Sequence, residues 1–68
     1  MECKIANRIY ELRKEANISQ KVLAKQVGVT QKAIDFWEKG INEPKASYII
    51  GLCNALKCSP SYLLGIED

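Results

Sequence analysis

Histidine is absent from this 68-residue sequence, and cysteine occurs only three times, as Cys3, Cys53 and Cys58. The odd number and the lack of a CxxC pair argue against a disulfide framework and a zinc site, so no metal or other cofactor is expected. The sequence also lacks a histidine base, a paired-carboxylate motif and a glycine-rich phosphate loop, and it therefore does not predict an enzyme. Cys53 and Cys58 are expected to be small buried side chains in a reducing cytoplasm.

Long apolar runs, linkers, repeats and low-complexity tracts are also lacking. No segment is apolar enough to cross a bilayer, and none has the pattern of a secretion leader. The composition, 47% hydrophobic and 26% charged, is that of a globular protein. Residues 1–68 are therefore expected to form one small domain, with no membrane and no small-molecule substrate as partner.

Five short amphipathic segments predict a compact all-α fold with orthogonal helices and no strand. The helices are expected at about Cys3 to Glu15, Gln20 to Val27, the residues between the Thr30 cap and Gly40, Lys45 or Ala46 to Leu56, and a short stretch from Pro60 that ends at Gly65. The side chains expected to face the core are Ile5, Ile9, Leu12, Val22, Leu23, Ala24, Val27, Ile34, Trp37, Ile49, Leu52, Cys53 and Leu56.

Capping residues support these boundaries. Ser19, Thr30 and Ser59 are suited to accept a hydrogen bond from an amide in the first turn of the helix that follows each of them. Asn17 and Gly28 are suited to the left-handed conformation in which many helices end. A glycine inside a helix, Gly51, costs about 1 kcal/mol relative to alanine, and it predicts close packing at that point.

The segment Ser19 to Glu38, SQKVLAKQVGVTQKAIDFWE, is the most informative part of the chain. Two short helices joined by a turn containing glycine form a helix-turn-helix, which presents its second helix to the major groove of DNA. With Ile34 and Trp37 turned inward, the outer face of this second helix keeps Gln31, Lys32, Asp35 and Phe36. The alternative interpretation is a tight helical hairpin with no DNA-binding role.

The chemistry of that outer face favours base recognition. Glutamine and lysine side chains hydrogen-bond to adenine and guanine edges, and an exposed phenylalanine can pack on a thymine methyl group. Asp35 is unfavourable beside phosphates unless it accepts a hydrogen bond from a cytosine amine or pairs with Lys32 or Lys39. We therefore predict Gln31, Lys32 and Phe36 as base-contacting residues.

Charge distribution gives weaker support. The net charge is only +2, with ten basic and eight acidic residues. Three of the eight acidic residues, Glu2, Glu67 and Asp68, lie at the two ends of the chain. The segment assigned to the DNA side contains the lysines at 21, 25, 32, 39 and 45. This pattern fits a basic face backed by an acidic tail, although an ordinary solvated surface also carries such an excess.

These features together resemble the Cro/CI-type, XRE-like family of helix-turn-helix domains found in phage repressors and small bacterial regulators. The resemblance covers about residues 8–65. It rests on LRKEANISQ, Leu23-Ala24, VGVT at Val27 to Thr30, Ile34 with WEKG at Trp37 to Gly40, Pro44, and the final segment NALKCSPSYLLG. It implies a lambda-repressor-like fold with the helix-turn-helix in the second and third helices.

The resemblance also implies roles for individual residues. Gln20 would bond a DNA phosphate and brace the first residue of the recognition helix, and Lys39, Asn42 and Lys45 would also contact the DNA backbone. Arg13 and Glu38 match a charged pair that ties the first helix to the end of the recognition helix. The family often has a small or polar residue at the position of Phe36.

The function implied is a repressor that binds a palindromic operator in double-stranded DNA as a homodimer, in a bacterial or phage context. Because the chain ends just after the fifth helix, no separate regulatory domain is expected, and the candidate dimer contacts are Pro60, Ser61 and Tyr62. A buried role for the Tyr62 ring is an equal alternative. Other possibilities are an antitoxin or restriction-system controller with a protein partner, and an interaction module that has lost DNA binding or an enzyme accessory domain.

Overall fold

The computed structural model describes residues 4–67, and every regular element in that range is an α-helix. The helices are α1 (Lys4–Glu15), α2 (Gln20–Val27), α3 (Gln31–Lys39), α4 (Ala46–Leu56) and α5 (Pro60–Leu63). The all-α prediction is confirmed. The predicted start of the first helix at Cys3, and the terminal charges of Glu2 and Asp68, lie outside the described residues.

Side-chain caps begin three of the helices where the sequence predicted them. The hydroxyl oxygens of Ser19, Thr30 and Ser59 each accept a hydrogen bond of 3.1 Å from the amide three residues further on. Each of these bonds satisfies one of the amides that a helix start leaves without an intrahelical acceptor.

Left-handed residues end the helices that precede the caps. Asn17 and Gly28 have φ angles of 60° and 87°, as predicted. Lys57 also has a positive φ, 58°, and it ends α4 at a position where the sequence has no glycine or asparagine. The amide of Lys57 donates to the carbonyl of Cys53, so the turn is formed despite the unfavourable residue.

The end of α5 differs from the prediction. The helix stops at Leu63, two residues before Gly65. The chain nevertheless turns at Gly65, whose φ is 82° and whose amide donates to the carbonyl of Tyr62 at 3.0 Å. The glycine therefore closes a turn after the helix, where a left-handed residue is needed.

The core lies between all five helices. Its fully buried large side chains are Ile9, Leu23, Ile34, Leu52 and Leu63, and the cluster around them includes Ala24, Trp37, Ile49, Cys53 and Leu56. Ile5, Leu12, Val27 and Cys58 are half-buried against it.

The prediction for Val22 is wrong, because its side chain is 43% exposed. Leu23 and Val27 lie one turn apart on the stripe of α2 that faces the core, whereas Val22 is rotated by about 100° from Leu23. A short helix that packs through a narrow stripe leaves such a neighbour in solvent.

Two buried side chains, Ile34 and Trp37, anchor α3 to the rest of the domain. Ile34 and Trp37 are buried, and the ring of Trp37 meets that of Tyr48 on α4 with centroids 5.7 Å apart. Between α2 and α4, a Cβ placed on Gly51 would approach Cγ1 of Val27 to 3.3 Å, which confirms the close packing predicted at Gly51. Both α1 and α2 also pack against α3, and Gln31 and Lys32 on its outer face remain exposed. Among the helices within residues 4–67, none is long and apolar enough to span a membrane.

Candidate nucleic-acid interface

The outer face of α3 is a polar surface next to the start of α2. Gln31 and Lys32 in the first turn of α3 are exposed, and Asp35 one turn later is half-buried. Together with Gln20, the first residue of α2, these side chains line one open depression. The side chains that face the solvent on α3 are therefore able to form hydrogen bonds with an incoming ligand.

Phe36 differs from the prediction, since its side chain is half-buried rather than exposed. Lys32 lies one turn before it on the same face, and its Nζ is 5.8 Å from the centroid of the ring. A cation at this distance from an aromatic face is attracted by the ring. The pair therefore covers part of the ring and holds the lysine along α3.

A buried ion pair joins α1 to the end of α3. Nε of Arg13 donates to Oε2 of Glu38 at 2.6 Å, and Nη2 donates to Oε1 at 3.1 Å. The two side chains are only 9% and 5% exposed. A two-pronged bond of this kind specifies the orientation of both partners, and it holds the pKa of Arg13 above its usual value.

Arg13 also binds the connection between α1 and α2. Its Nη1 donates to the carbonyl oxygen of Ile18 at 3.0 Å. The family resemblance predicted the Arg13–Glu38 pair. No feature of the sequence indicated the bond from Arg13 to Ile18. One side chain thus fixes α1, α3 and the entry to α2 relative to one another.

Gln20 is the residue whose contacts differ most from expectation. Its Nε2 donates to Oε1 of Glu38 at 3.0 Å and to Oδ1 of Asp35 at 3.3 Å. The structure therefore does not show the expected brace to Gln31, because two carboxylates on α3 lie within reach and are stronger acceptors than a neutral side chain.

Asp35 is held on both of its oxygens. Oδ2 forms an ion pair of 2.9 Å with Nζ of Lys39, four residues later on α3, and Oδ1 accepts from Gln20. Both hydrogen bonds lower the pKa of Asp35 below its ordinary value, and the one from Lys39 has the larger effect. Of the two pairings that the sequence left open, the structure contains the one with Lys39.

The other predicted backbone-contacting residues, Asn42 and Lys45, are exposed in the segment between α3 and α4. Lys45 directly precedes α4, which begins without a side-chain cap. The first amides of α4 therefore lie next to a lysine, an arrangement that favours a negatively charged group.

The three candidate dimer residues lie at the start of α5. Pro60 is exposed, and Ser61 and Tyr62 are half-buried. The hydroxyl of Ser61 donates to Oε1 of Glu67 at 2.9 Å, and Ser59 donates to the same oxygen. The hydrogen bond from Ser59 is the larger cause, and that from Ser61 the smaller cause, of a lowered pKa of Glu67.

The ring of Tyr62 contacts α1. The guanidinium carbon of Arg8 lies 4.1 Å from the centroid of this ring, and Nη1 of Arg8 donates to the carbonyl oxygens of Tyr62 and Glu67. Because 54 residues separate Arg8 from Tyr62, no local pattern in the sequence indicated this contact. It ties the end of the chain to the first helix.

The two short helices α2 and α3 define a helix-turn-helix domain. The second of them is capped by Thr30, is anchored by the buried Ile34 and Trp37, and is polar on its outer side. The sequence profile of the helix-turn-helix family matches residues 9–63. The chain therefore belongs to this family.

Individual relatives agree with this assignment. The chain is 43% identical to repressor protein C2 of Salmonella phage P22 over 60 residues. This aligned region is 88% of the chain and 28% of that protein. It is 35% identical to the HTH-type transcriptional regulator DicA of Escherichia coli over 65 residues. This aligned region is 94% of the chain and 48% of DicA. The chain thus spans less than half the length of these two relatives.

Solved structures show the same architecture. The P22 c2 repressor in complex with a synthetic operator superimposes with a TM-score of 0.89 at 41% identity, over 93% of this chain and 96% of that one. The restriction-modification controller protein C.AhdI of Aeromonas hydrophila superimposes with a TM-score of 0.84 at 30% identity, over 90% of this chain and 92% of that one.

Proposed function

We propose that this chain is a sequence-specific DNA-binding domain of a transcriptional repressor, and that α3 enters the major groove. The observation that carries the proposal is the outer face of α3, which the described part of the chain leaves uncovered while Ile34 and Trp37 are buried behind it. The similarity to the P22 repressor, whose structure was solved with an operator, supports the same assignment.

Gln31 and Lys32 are proposed as base-contacting residues. Both are exposed in the first turn of α3, the part of a recognition helix that contacts base edges. Phe36 is proposed to pack on a thymine methyl group beside them, because its side chain is only half-buried and part of it stays accessible.

Lys39, Asn42 and Lys45 are proposed to contact the DNA backbone. All three are exposed at or after the end of α3, and the uncapped start of α4 next to Lys45 favours a phosphate. Gln20 remains a candidate only if it releases one of the two carboxylates that it binds.

Repression is proposed to follow from occupation of promoter DNA by a homodimer, without catalysis, in the cytoplasm of a bacterium. Two copies of α3 would enter successive major grooves about 34 Å apart on a palindromic site. Pro60 and Tyr62 are proposed dimer contacts. Ser61 is a weaker candidate, because its hydroxyl already donates to Glu67.

A second candidate is a controller protein of a restriction system, which the similarity to C.AhdI favours. Both candidates share the same DNA-binding surface and differ in the regulated promoter and in whether transcription falls or rises. A reporter gene placed behind the selected binding site separates them, since activation at any protein concentration contradicts a pure repressor.

The proposal is tested by selecting binding sites from random duplexes with the 68-residue chain, and then by measuring variants on the selected site. We expect Gln31→Ala and Lys32→Ala each to weaken operator binding by roughly 1–3 kcal/mol and to relax the base preference. Lys45→Ala is expected to weaken binding about equally on all sequences.

Lys57→Asn is a matched control, because it removes one positive charge at the end of α4 and asparagine tolerates the left-handed conformation there. It should change binding much less than Lys32→Ala. The proposal is refuted if no sequence is enriched, or if all four variants alter affinity and salt dependence in the same way.

A further inference from the structure

Asp35 lies on the surface that the proposed function places in the major groove. It is four residues after Gln31 on α3, so the two side chains share one face of the helix, and it lines the same depression as Gln31 and Lys32. Its side chain is 32% exposed, which leaves part of the carboxylate open to a ligand.

The carboxylate is held in place from two directions. Nζ of Lys39 lies 2.9 Å from Oδ2, and Nε2 of Gln20 donates to Oδ1 at 3.3 Å. Each carboxylate oxygen accepts about two hydrogen bonds, so each retains a position for a further donor. A carboxylate held in this way is positioned before DNA arrives.

Gln20 contributes to this arrangement through its side-chain amide. An amide nitrogen carries two protons, and those of Gln20 are directed to Asp35 and Glu38. Glu38 is itself fixed by Arg13. The position of the Asp35 carboxylate is therefore connected to the buried ion pair through one amide group.

Resting on the proposed function, we propose that Asp35 is a specificity-determining residue that selects a base with an exocyclic amine, principally cytosine, and that Gln20 and Lys39 are positioning residues for it. In the major groove, the amine at N4 of cytosine is the donor that a carboxylate accepts. Guanine presents only acceptors there and thymine an acceptor and a methyl group, so both are repelled by a fixed negative charge. An aspartate is ionised at neutral pH, and the hydrogen bonds from Lys39 and Gln20 lower the pKa of Asp35 further, so the charge is present when DNA binds.

The test uses the selected operator with every base pair of a half-site changed in turn, and measures competition binding by the 68-residue chain. In the parent protein we expect one position at which cytosine is preferred over guanine and thymine by about tenfold or more. Asp35→Ala should remove most of this preference at that position alone. Asp35→Asn should shift it towards adenine, whose edge an amide side chain matches.

A change in the DNA provides a second, independent measurement that does not depend on the folding of a variant. Replacement of the preferred cytosine by 2-pyrimidinone, which lacks the N4 amine, should weaken binding by the parent about tenfold. The same replacement should have little effect on Asp35→Ala. Gln20→Ala and Lys39→Met should each reduce the preference at this position partially, which a purely structural role would not do.

Glu43→Gln is the matched control, because it removes one exposed carboxylate near the proposed interface but outside α3. It should raise affinity for all sequences without changing the preference at any one position. The inference is overturned if Asp35→Ala behaves like Glu43→Gln, or if loss of the amine affects parent and variant equally. Failure of the parent to select any site would instead refute the proposed function, and this inference with it.

Discussion

The ion pair between Arg13 and Glu38 permits a quantitative prediction for Glu38→Gln. The carboxylate of Glu38 accepts two bonds from Arg13 and one from Gln20, and both charged side chains are at least nine-tenths buried. Removal of one partner of a buried pair leaves an uncompensated charge, which costs about 3–5 kcal/mol.

The lower end of that range applies here. Arg13 keeps its bond to the carbonyl of Ile18, so its charge retains one buried acceptor when the Glu38 carboxylate is lost. We therefore expect Glu38→Gln to reduce the free energy of unfolding by about 3 kcal/mol. A domain of this size is stabilised by roughly 3–10 kcal/mol in total, so the variant would approach the limit of folding. The midpoint of thermal unfolding should fall by about 12–24 °C.

Urea unfolding followed by the fluorescence of Trp37, the single tryptophan, together with far-ultraviolet circular dichroism, measures this loss. Glu15→Gln is the control, since this exposed carboxylate at the end of α1 should change stability by less than about 0.5 kcal/mol. The double variant Arg13→Met with Glu38→Leu should be more stable than Glu38→Gln, because no charge is left buried. A loss below about 1 kcal/mol for Glu38→Gln, or a double variant no more stable than the single one, would refute this reasoning.

Three further predictions concern the end of the chain. Lys57 has a left-handed backbone at φ 58°, which is strained for a residue with a side chain. Lys57→Gly removes this strain and should raise the free energy of unfolding by up to about 1 kcal/mol in the same urea assay, and an unchanged or lower stability would contradict this explanation. Burial, and then the neighbouring Cys53 thiol, raise the pKa of Cys58 to about 11. Because the thiolate is the reactive form, iodoacetamide at pH 8 should alkylate Cys58 about 100-fold more slowly than a solvent-exposed cysteine with a pKa of 9.0. Peptide mass mapping measures this rate, and alkylation as fast as that of a free cysteine would exclude the shift. The lowered pKa of Glu67 stabilises the fold above its ordinary pKa of 4.5, and this contribution disappears as the pH falls through the lowered value. Glu67→Gln should therefore be less stable than the parent at pH 7, and this difference should shrink as the pH falls below 4.5. A difference in stability that does not change with pH would exclude this origin.

Local sequence was sufficient for most of the secondary structure. Ser19 and Thr30 begin α2 and α3 as predicted, and Asn17 and Gly28 have the predicted left-handed conformation. These features depend on the side chain itself and on amides no more than three residues away, so no distant contact is required to predict them. The exception is Lys57, where the turn forms at a residue with no preference for it.

The candidate interface was predicted only in part. The residue types on α3 followed from the inward positions of Ile34 and Trp37, because a helical period assigns each residue to a side. The degree of exposure did not follow, since Phe36 is half-buried beside Lys32, and Val22 is exposed at the edge of a narrow stripe.

The helices, their caps and the polar character of one helix face follow from local chemistry, since they depend on residues within one or two turns. Which side chains contact one another depends instead on how the helices pack. Gln20 binds Glu38 across 18 positions, Arg13 binds Glu38 across 25, and Arg8 meets Tyr62 across 54. Such pairs form only where the packing of the helices brings their side chains together, because hydrogen bonds act over about 3 Å and helical periodicity contains no information on the partner on another helix.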